Sequence, residues 1–156
     1  MSDRPARLTL RRAGPGDAAR VRDLTRSAYA KWVPLIGREP FPMTADYDRA
    51  VREHLIDLHE ENGELRALVE MIRHADHFLV ENLAVRPDCP GSGLGGALLR
   101  HAESVARAFE YAKIHLDTNA AFASNIALYG RRGFTECARE SIGVGGELVR
   151  MKKALD

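Results

Sequence analysis

The hydrophobic pattern is most informative between Phe78 and Glu110, where it changes from one kind of repeat to another. The segment opens with the apolar run FLVENLAV, which has the composition of a strand, and Pro87 and Pro90 follow it. The loop GSGLGG then carries four glycines in six residues. Beyond the loop, apolar residues recur three and four positions apart, which is the spacing of one buried helix face. The pattern predicts a strand, a glycine loop and a helix with these residues on its outer face: Arg100, Glu103, Arg107 and Glu110.

The chain before this segment begins with a predicted strand and helix. Residues from Arg7 to Arg12 alternate between apolar and polar, as a half-buried strand does. Helix one is predicted from Ala18 to Val33, with Asp17 as a cap. Pro34 and Gly37 are expected to end it, because proline interrupts helical hydrogen bonding and glycine favours the position after a helix.

The next part of the chain is predicted to be a loop, a short helix and two paired strands. Gly37 to Met43 contains two prolines, so we predict no helix there, and Thr44 is expected to cap a short helix through Arg52. The runs Leu55 to Glu60 and Leu65 to Arg73 have strand composition, and Asn62-Gly63 between them is a strong hairpin signal. A second turn, HADH, then leads into the strand at Phe78 and completes an antiparallel meander.

The C-terminal part is predicted to alternate strand and helix once more. We predict a strand from Lys113 to Thr118 and then a helix from Ser124 to Arg132, which Gly133 closes. The last two strands are predicted from Phe134 to Glu140 and from Glu147 to Lys153. The predicted fold class is therefore mixed α/β (α+β), with a central, mainly antiparallel sheet.

The glycine loop before the central helix predicts an anion site. Unpaired amides and the helix dipole favour negative charge at a helix start, and glycines let the backbone approach a phosphate. GSGLGG also fits the dinucleotide pattern GxGxxG, and the next strand ends near an acid, Asp117. However, RPDCP separates the strand from the first glycine, and too little chain follows Asp117 to complete a doubly wound sheet. A nicotinamide enzyme is therefore the weaker alternative.

Two segments resemble motifs of the GCN5-related N-acetyltransferase (GNAT) family. LAVRPDCPGSGLGGALL resembles motif A, in which a strand leads to a glycine loop and a helix; Gly93 and Gly95 match its glycines, whereas Pro90 stands where the family usually has Gln or Arg. NAAFASNIALYGRRGF resembles motif B, and the residues in their usual places are Asn125, Leu128, Tyr129, Gly133 and Phe134. The resemblance covers nearly the whole chain from about Leu8 onward.

The resemblance implies a single acetyltransferase-like domain over residues 1–156, with a sheet of about six to seven strands flanked by about four helices. It also implies that acetyl-coenzyme A is the co-substrate. The expected cofactor contacts are the backbone of Leu83, Ala84 and Val85, the loop residues Gly91, Ser92, Gly93, Leu94, Gly95 and Gly96, and the side chains of Asn119 and Asn125. For Asn125, capping of its helix remains an alternative.

Tyr129 and Glu81 are the candidate catalytic residues. A tyrosine in motif B keeps its proton at neutral pH and could give it to a thiolate leaving group, although a tyrosine on an apolar helix face is also typical of a core. Glu81, expected on the same side of its strand as Leu83 and Val85, is the candidate base, with a plain salt bridge as the alternative. His77 is a rival base with a suitable ordinary pKa.

The acceptor is expected beside the first helices, which usually cover the acceptor site in the resembled family. Arg38, Glu39, Phe41 and Tyr47 are the candidate acceptor contacts, and a solvated loop is the alternative. We expect acetyl transfer to a primary amine of a small molecule or a peptide N-terminus. The competing hypothesis is a module of the same fold that binds coenzyme A or a partner without catalysis.

Composition limits the number of domains, the kinds of partner and the cellular compartment that we expect. The 156 residues fit one domain, and a net charge of +1 gives no electrostatic argument for nucleic acid or a membrane as a partner. Cys89 and Cys137 lack metal-site spacing and fit a reducing compartment, and the N-terminus has no apolar signal core, so we expect a cytoplasmic protein. No metal is expected, even at the turn HADH. A homodimer is possible, because dimers are common in the resembled family.

Overall fold

Seven strands form one sheet in the computed structural model, which describes residues 7–89 and 91–156. The strands are Leu10–Arg12 (β1), Leu55–Glu61 (β2), Glu64–Arg73 (β3), Phe78–Val85 (β4), Lys113–Asn119 (β5), Thr135–Ser141 (β6) and Glu147–Ala154 (β7). Their order is β1-β2-β3-β4-β5-β7-β6, and each neighbouring pair is antiparallel except β4 with β5. This architecture confirms the predicted fold class. Pro90 lies outside the described residues.

Helices cover both faces of the sheet. They are Ala18–Tyr29 (α1), Val33–Ile36 (α2), Phe41–Thr44 (α3), Tyr47–Glu53 (α4), Leu94–Ala108 (α5) and Ala123–Arg131 (α6). The cluster on one face joins α1 and α4 to Ile56, Leu58 and Leu68, and the cluster on the other face joins α5 to Val69 and Met71. Each such buried side chain contributes about 1.5–3 kcal/mol of hydrophobic stabilisation. None of the helices in the described residues has the length and apolar composition needed to cross a membrane.

The two turns of the N-terminal meander form as predicted. Asn62 and Gly63 both have positive φ, 54° and 79°, which is the backbone of the tight hairpin turn that Asn-Gly favours. At the second turn, the amide of His74 donates to the carbonyl of His77 over 3.1 Å. These turns place β4 beside β3 in the centre of the sheet.

Two predictions based on proline were wrong. The first helical segment does not end at Pro34. After α1, a 3-10 turn spans Ala30–Trp32, and Pro34 lies in the first turn of α2. Pro42 likewise lies in the first turn of α3, within a segment predicted to contain no helix. Proline is tolerated in a first turn because its missing N–H would have no helical partner there. Gly37 ends α2 in the left-handed conformation, as predicted.

The predicted helix caps also differ from those in the structure. Asp46 rather than Thr44 caps α4, since its carboxylate accepts a hydrogen bond from the amide of Arg49. Asp17 occupies the N-cap position of α1, as predicted, but its carboxylate accepts from the amide of Gly14 and from the guanidinium of Arg11 rather than from an amide of the helix. At both helix starts, an aspartate carboxylate accepts hydrogen bonds from donors close to it in the sequence.

Glu103 is buried, although the periodicity of α5 predicts an outer position. Its side chain is 5% exposed and lies 2.7 Å from the Lys153 ammonium of β7 and 3.8 Å from the Arg107 guanidinium. The last strand thus covers a helix face that the local pattern alone assigns to solvent.

Candidate active site

The two parallel strands at the centre of the sheet separate from each other part of the way along. β4 and β5 pair at Phe78 with Ile114, Leu79 with His115 and Val80 with Leu116. Both strands continue, β4 to Val85 and β5 to Asn119, without further pairing between them in the described residues. The backbone edge of β4 beyond Val80 therefore faces a gap rather than a neighbouring strand.

A β-bulge at Glu81 coincides with the start of this gap. On β3, Met71 pairs with Val80 and the preceding residue Glu70 pairs with Asn82, so Glu81 is an extra residue in β4. The bulge shifts the alternation of side chains: Val80 shares the α5 face with Leu83 and Val85. The alternation on which the expected side of Glu81 rested is therefore interrupted at this residue.

One end of the gap opens onto the glycine loop. A cavity of about 250 Å³, which we call the loop cavity, is lined by Val85, by Lys31 and by the loop from Gly91 to Gly95. Gly91 and Gly93 have positive φ, 67° and 76°, which side chains rarely adopt. Gly93 precedes α5 without a side-chain cap, so the first amides of the helix lack helical partners. These amides, the helix dipole and Lys31 favour an anion.

The gap continues from the loop cavity as a narrow channel of about 120 Å³. Leu83 and Val85 of β4, Gly95 of α5 and Asn125, Leu128 and Tyr129 of α6 line it, with Tyr29 and Trp32 opposite. A Cβ at Gly95 would lie 3.6 Å from Leu128 and 4.0 Å from Val85, so a glycine keeps the channel open at this point. The Tyr29 hydroxyl donates to the Leu83 carbonyl over 3.4 Å.

At its inner end, the channel meets a cavity of about 150 Å³ around Tyr129, the junction cavity. Tyr129 is 6% exposed, and burial raises the pKa of its phenol to about 12. Thr118 of β5 also lines this cavity; it is 7% exposed, and its Oγ1 has no hydrogen-bond partner among the described residues. A buried hydroxyl without a partner costs about 1–3 kcal/mol, so it marks a position where a ligand atom could bind.

Glu81 lies where the junction cavity meets a larger one. This outer cavity, of about 420 Å³, extends under α3 and α4 and is lined by Phe41, Tyr47, Glu70 and Asn82, among others. Glu81, Phe41 and Pro42 line both cavities. The Glu81 side chain is itself exposed, but desolvation by the surrounding protein, and then the negative charge of Glu70, raise the pKa of its carboxyl.

The four cavities form one groove, because each shares lining residues with the next. The loop cavity and the channel share Val85 and Gly95, and the channel and the junction cavity share Asn125 and Tyr129. The groove runs from an anion site, past a buried phenol, to a carboxylate and an open cavity. That order suits an elongated ligand with a phosphate at one end and its reactive end beside Tyr129 and Glu81.

Most of the residues expected to contact a cofactor lie along the groove. Those that line it are Leu83, Val85, Gly91, Ser92, Gly93, Leu94, Gly95, Asn119 and Asn125. Ala84 points to the opposite face of the sheet, where it packs against α1 and α4. Gly96 is not among the lining residues, and an added Cβ there would meet the flexible end of the Arg132 side chain. Phe122, not Asn125, occupies the N-cap of α6, which rules out that alternative.

Asn119 lines the junction cavity with its side chain already engaged. It donates to the Gly145 carbonyl over 2.7 Å and accepts from the Ala121 amide over 2.9 Å. Asn119 therefore holds the β6–β7 turn against the end of β5. Its carbonyl also accepts from the Phe122 amide over 2.9 Å, so both its side chain and its carbonyl are engaged within the protein.

The candidate acceptor contacts divide into two groups. Arg38 lines the junction cavity, Tyr47 the outer cavity and Phe41 both. Arg38 lies over the Phe41 ring, 4.2 Å from its centroid, and donates to the Val144 carbonyl over 2.9 Å. Glu39 is not a lining residue of these cavities; its carboxylate lies 2.9 Å from Arg26.

The rival base, His77, lies away from the groove at the start of β4. Its ring stacks on His115 with centroids 4.3 Å apart, and its Nδ1 lies 2.7 Å from the Asp76 carboxylate. In residues 7–89 and 91–156, no group of three or more His, Cys, Asp or Glu side chains is arranged to hold a metal ion.

Sequence reasoning missed several groove residues. Tyr29 and Trp32 form the wall opposite β4, and Trp32 stacks on Phe122 with ring centroids 4.4 Å apart. The position of Trp32 on the apolar face of helix one was a usable signal, although it indicates burial rather than a site. Thr118 and Asn82 carried no sequence signal, because the unpartnered atoms Thr118 Oγ1 and Asn82 Oδ1 depend on how the strands pair in the fold.

Comparison of the chain with protein-family models identifies one family. A family model described as the acetyltransferase (GNAT) family matches residues 19–134. No curated protein matches significantly.

Solved structures similar to this chain share its fold at low sequence identity. A GCN5-related N-acetyltransferase from Rhodopseudomonas palustris has a TM-score of 0.81 at 18% identity, covering 99% of this chain and 100% of that one. The ribosomal-protein-S18-alanine N-acetyltransferase from Escherichia coli has a TM-score of 0.78 at 22% identity, covering 96% and 95%. A GNAT family acetyltransferase from Elizabethkingia anophelis, with acetyl-CoA bound, has a TM-score of 0.73 at 17% identity, covering 95% and 98%.

Proposed function

The chain belongs to the GNAT family of acetyltransferases, and from that premise we propose that it transfers the acetyl group of acetyl-coenzyme A directly to a primary amine. The observation that carries the proposal is the continuous groove from the glycine loop to Tyr129 and Glu81. In this proposal the donor enters from the glycine-loop end and the acceptor from the outer cavity. Both substrates would therefore meet in one complex, without an acetylated enzyme as intermediate.

The donor is held first by its phosphates. The backbone amides from Gly91 to Gly95 and the start of α5 bind the pyrophosphate, with Lys31 as a nearby positive charge. The thiol arm then runs along β4 between Leu83 and Val85. Because β5 no longer pairs with β4 there, backbone amides of this edge are available to bind the arm and to polarise the thioester carbonyl, whereas the Leu83 carbonyl already accepts from the Tyr29 hydroxyl.

Glu81 is the proposed base. Its raised pKa makes it a better proton acceptor than an ordinary carboxylate, and it lies where the two acceptor-side cavities meet. It takes the proton that the neutral amine nitrogen loses as the new amide forms, directly or through water, and passes it to solvent. The neutral nitrogen attacks the thioester carbon, the C–N bond forms, and the C–S bond breaks.

Tyr129 is the proposed proton donor for the departing sulfur. With a pKa of about 12, its phenol stays protonated over the whole range in which a primary amine of pKa about 10 loses its proton. A proton given to the thiolate prevents the reverse attack on the new amide. Phe41, Tyr47 and Arg38 are the proposed acceptor contacts.

The test is release of coenzyme A thiol in the presence of a panel of primary amines, followed by mass measurement of the amine product. We expect amine-dependent thiol release and a product heavier by one acetyl group. Acetyl-coenzyme A binding without thiol release for any amine would instead favour a non-catalytic coenzyme A module.

A further inference from the structure

The outer cavity is rich in negative charge. Its lining includes the carboxylates of Asp46, Glu53, Glu70 and Glu81, against one guanidinium and one imidazole, those of Arg49 and His54. Arg49 already lies 2.7 Å from Glu53, so its charge is balanced within the wall. A ligand in this cavity therefore meets an excess of carboxylates.

Asn82 adds a buried hydrogen-bond acceptor to the same wall. The Tyr47 hydroxyl gives its single proton to the Pro42 carbonyl over 2.6 Å, so its oxygen must accept from Asn82. This fixes the amide orientation: Asn82 Nδ2 donates to Tyr47 and to Thr25, over 3.3 and 3.1 Å.

The consequence is an acceptor left without a donor. Asn82 is 2% exposed, and its Oδ1 has no hydrogen-bond partner among the described residues. A buried amide oxygen in this state costs free energy that a ligand N–H would recover. Because Tyr47 and Thr25 hold the amide in place, it cannot turn to satisfy itself.

Glu70 of β3 lies directly opposite Asn82 of β4 in the sheet. It is 3% exposed, and its Oε2 lies 2.6 Å from His54 Nδ1. Burial raises the pKa of Glu70, and desolvation, followed by the charge of Glu70, raises the pKa of Glu81. A cation placed between these groups would relieve both effects.

We propose that the outer cavity binds the second ammonium group of a diamine acceptor, through Asn82 Oδ1 and the carboxylate of Glu70. The other nitrogen of the diamine reaches Glu81, loses its proton and is acetylated, giving a mono-acetylated diamine and coenzyme A thiol. An ammonium group suits the wall because it offers three donors and no acceptor. This inference rests on the proposed function.

The experiment compares two amines with the same four-carbon chain, putrescine and butylamine, of which only putrescine carries a second ammonium. Thiol release gives kcat/KM for each, and the expected preference for putrescine is at least about tenfold, the equivalent of one good charged contact. Glu70→Gln keeps the shape of the wall and removes its charge, so it should abolish most of that preference. Glu53→Gln, at a half-exposed position that tolerates the change, should reduce the preference in the same direction.

Asp48→Asn is the matched control. Asp48 is exposed on α4, outside the lining of the outer cavity, so the same change of charge there should keep the preference. Equal kcat/KM for the two amines in the wild type, or a preference that survives in both Glu variants, would overturn the inference.

A binding measurement separates this inference from the proposed function. We expect calorimetric titration of the complex with coenzyme A to show binding of putrescine and none of butylamine. Putrescine binding without any thiol release would refute the proposed transfer and leave the cation site standing. Thiol release with butylamine, combined with no putrescine binding, would leave the transfer standing and refute the cation site.

Discussion

Trp32 stacks on Phe122, with ring centroids 4.4 Å apart and an angle of 20° between the rings. The contact joins the segment after α1, where Trp32 lines the channel, to the start of α6, where Phe122 lines the junction cavity. Such a pair contributes about 0.5–1.5 kcal/mol beyond the area it buries. The walls of the groove are thus held by an aromatic contact rather than by backbone pairing.

Trp32→Ala is expected to weaken acetyl-coenzyme A binding by about tenfold, because the channel wall loses its anchor. Calorimetric titration measures the change in Kd. Phe109→Ala removes a partly exposed aromatic ring away from the groove and serves as the control. Equal losses of affinity in both variants would show that Trp32 has no specific role in the channel.

Tyr129→Phe is expected to lower kcat by about 100-fold or more, as removal of a general acid does. The Kd of acetyl-coenzyme A should change little, because the ring still fills the same space between the channel and the junction cavity. Single-turnover thiol release gives the rate, and titration gives the Kd. An unchanged kcat would remove Tyr129 from the acid role.

Glu81→Gln is expected to alter the pH profile. The carboxylate acts as a base only when ionised, so wild-type kcat/KM should fall as the pH drops through the raised pKa of Glu81. The variant lacks this group, and its deficit should be largest above that pKa and shrink below it. If the acidic limb of the profile is the same in both proteins, Glu81 is not the base.

Thr118→Val is expected to change stability and activity in opposite directions. Valine has nearly the same shape and no unsatisfied hydroxyl, so the free energy of unfolding should rise by about 1 kcal/mol. If Thr118 Oγ1 binds the reactive end of the donor, kcat/KM should fall. Denaturant unfolding and thiol release measure the two effects; higher stability with full activity would assign Thr118 no role in the reaction.

The core of the site could be predicted from the sequence because its elements are local. The strand, glycine loop and helix from Phe78 to Glu110 carry their own periodicity, and Gly91 and Gly93 have the positive φ that glycine permits. Tyr129 and Asn125 were placed by one motif, and both line the groove.

The features of the site and fold that the sequence did not predict depend on contacts between distant parts of the chain. The bulge at Glu81 exists only in the pairing of β4 with β3, and it decides which side chains reach the groove. The unpartnered oxygens Asn82 Oδ1 and Thr118 Oγ1 likewise depend on contacts that the local sequence does not show. Glu103 is buried because Lys153, 50 residues later, covers it. Pro34 and Pro42 were misjudged because a proline in a first turn cannot be distinguished locally from one that ends a helix.

Calorimetric titration with acetyl-coenzyme A, with NADH as the control ligand, tests the central claim most directly. The account predicts saturable binding of acetyl-coenzyme A with one site per chain and no binding of NADH. Gly93→Val, which puts a branched side chain at a positive φ beside the first amides of α5, should abolish that binding while the sheet remains folded. Absence of acetyl-coenzyme A binding in the wild type would contradict the account, and with it the roles proposed for Tyr129 and Glu81.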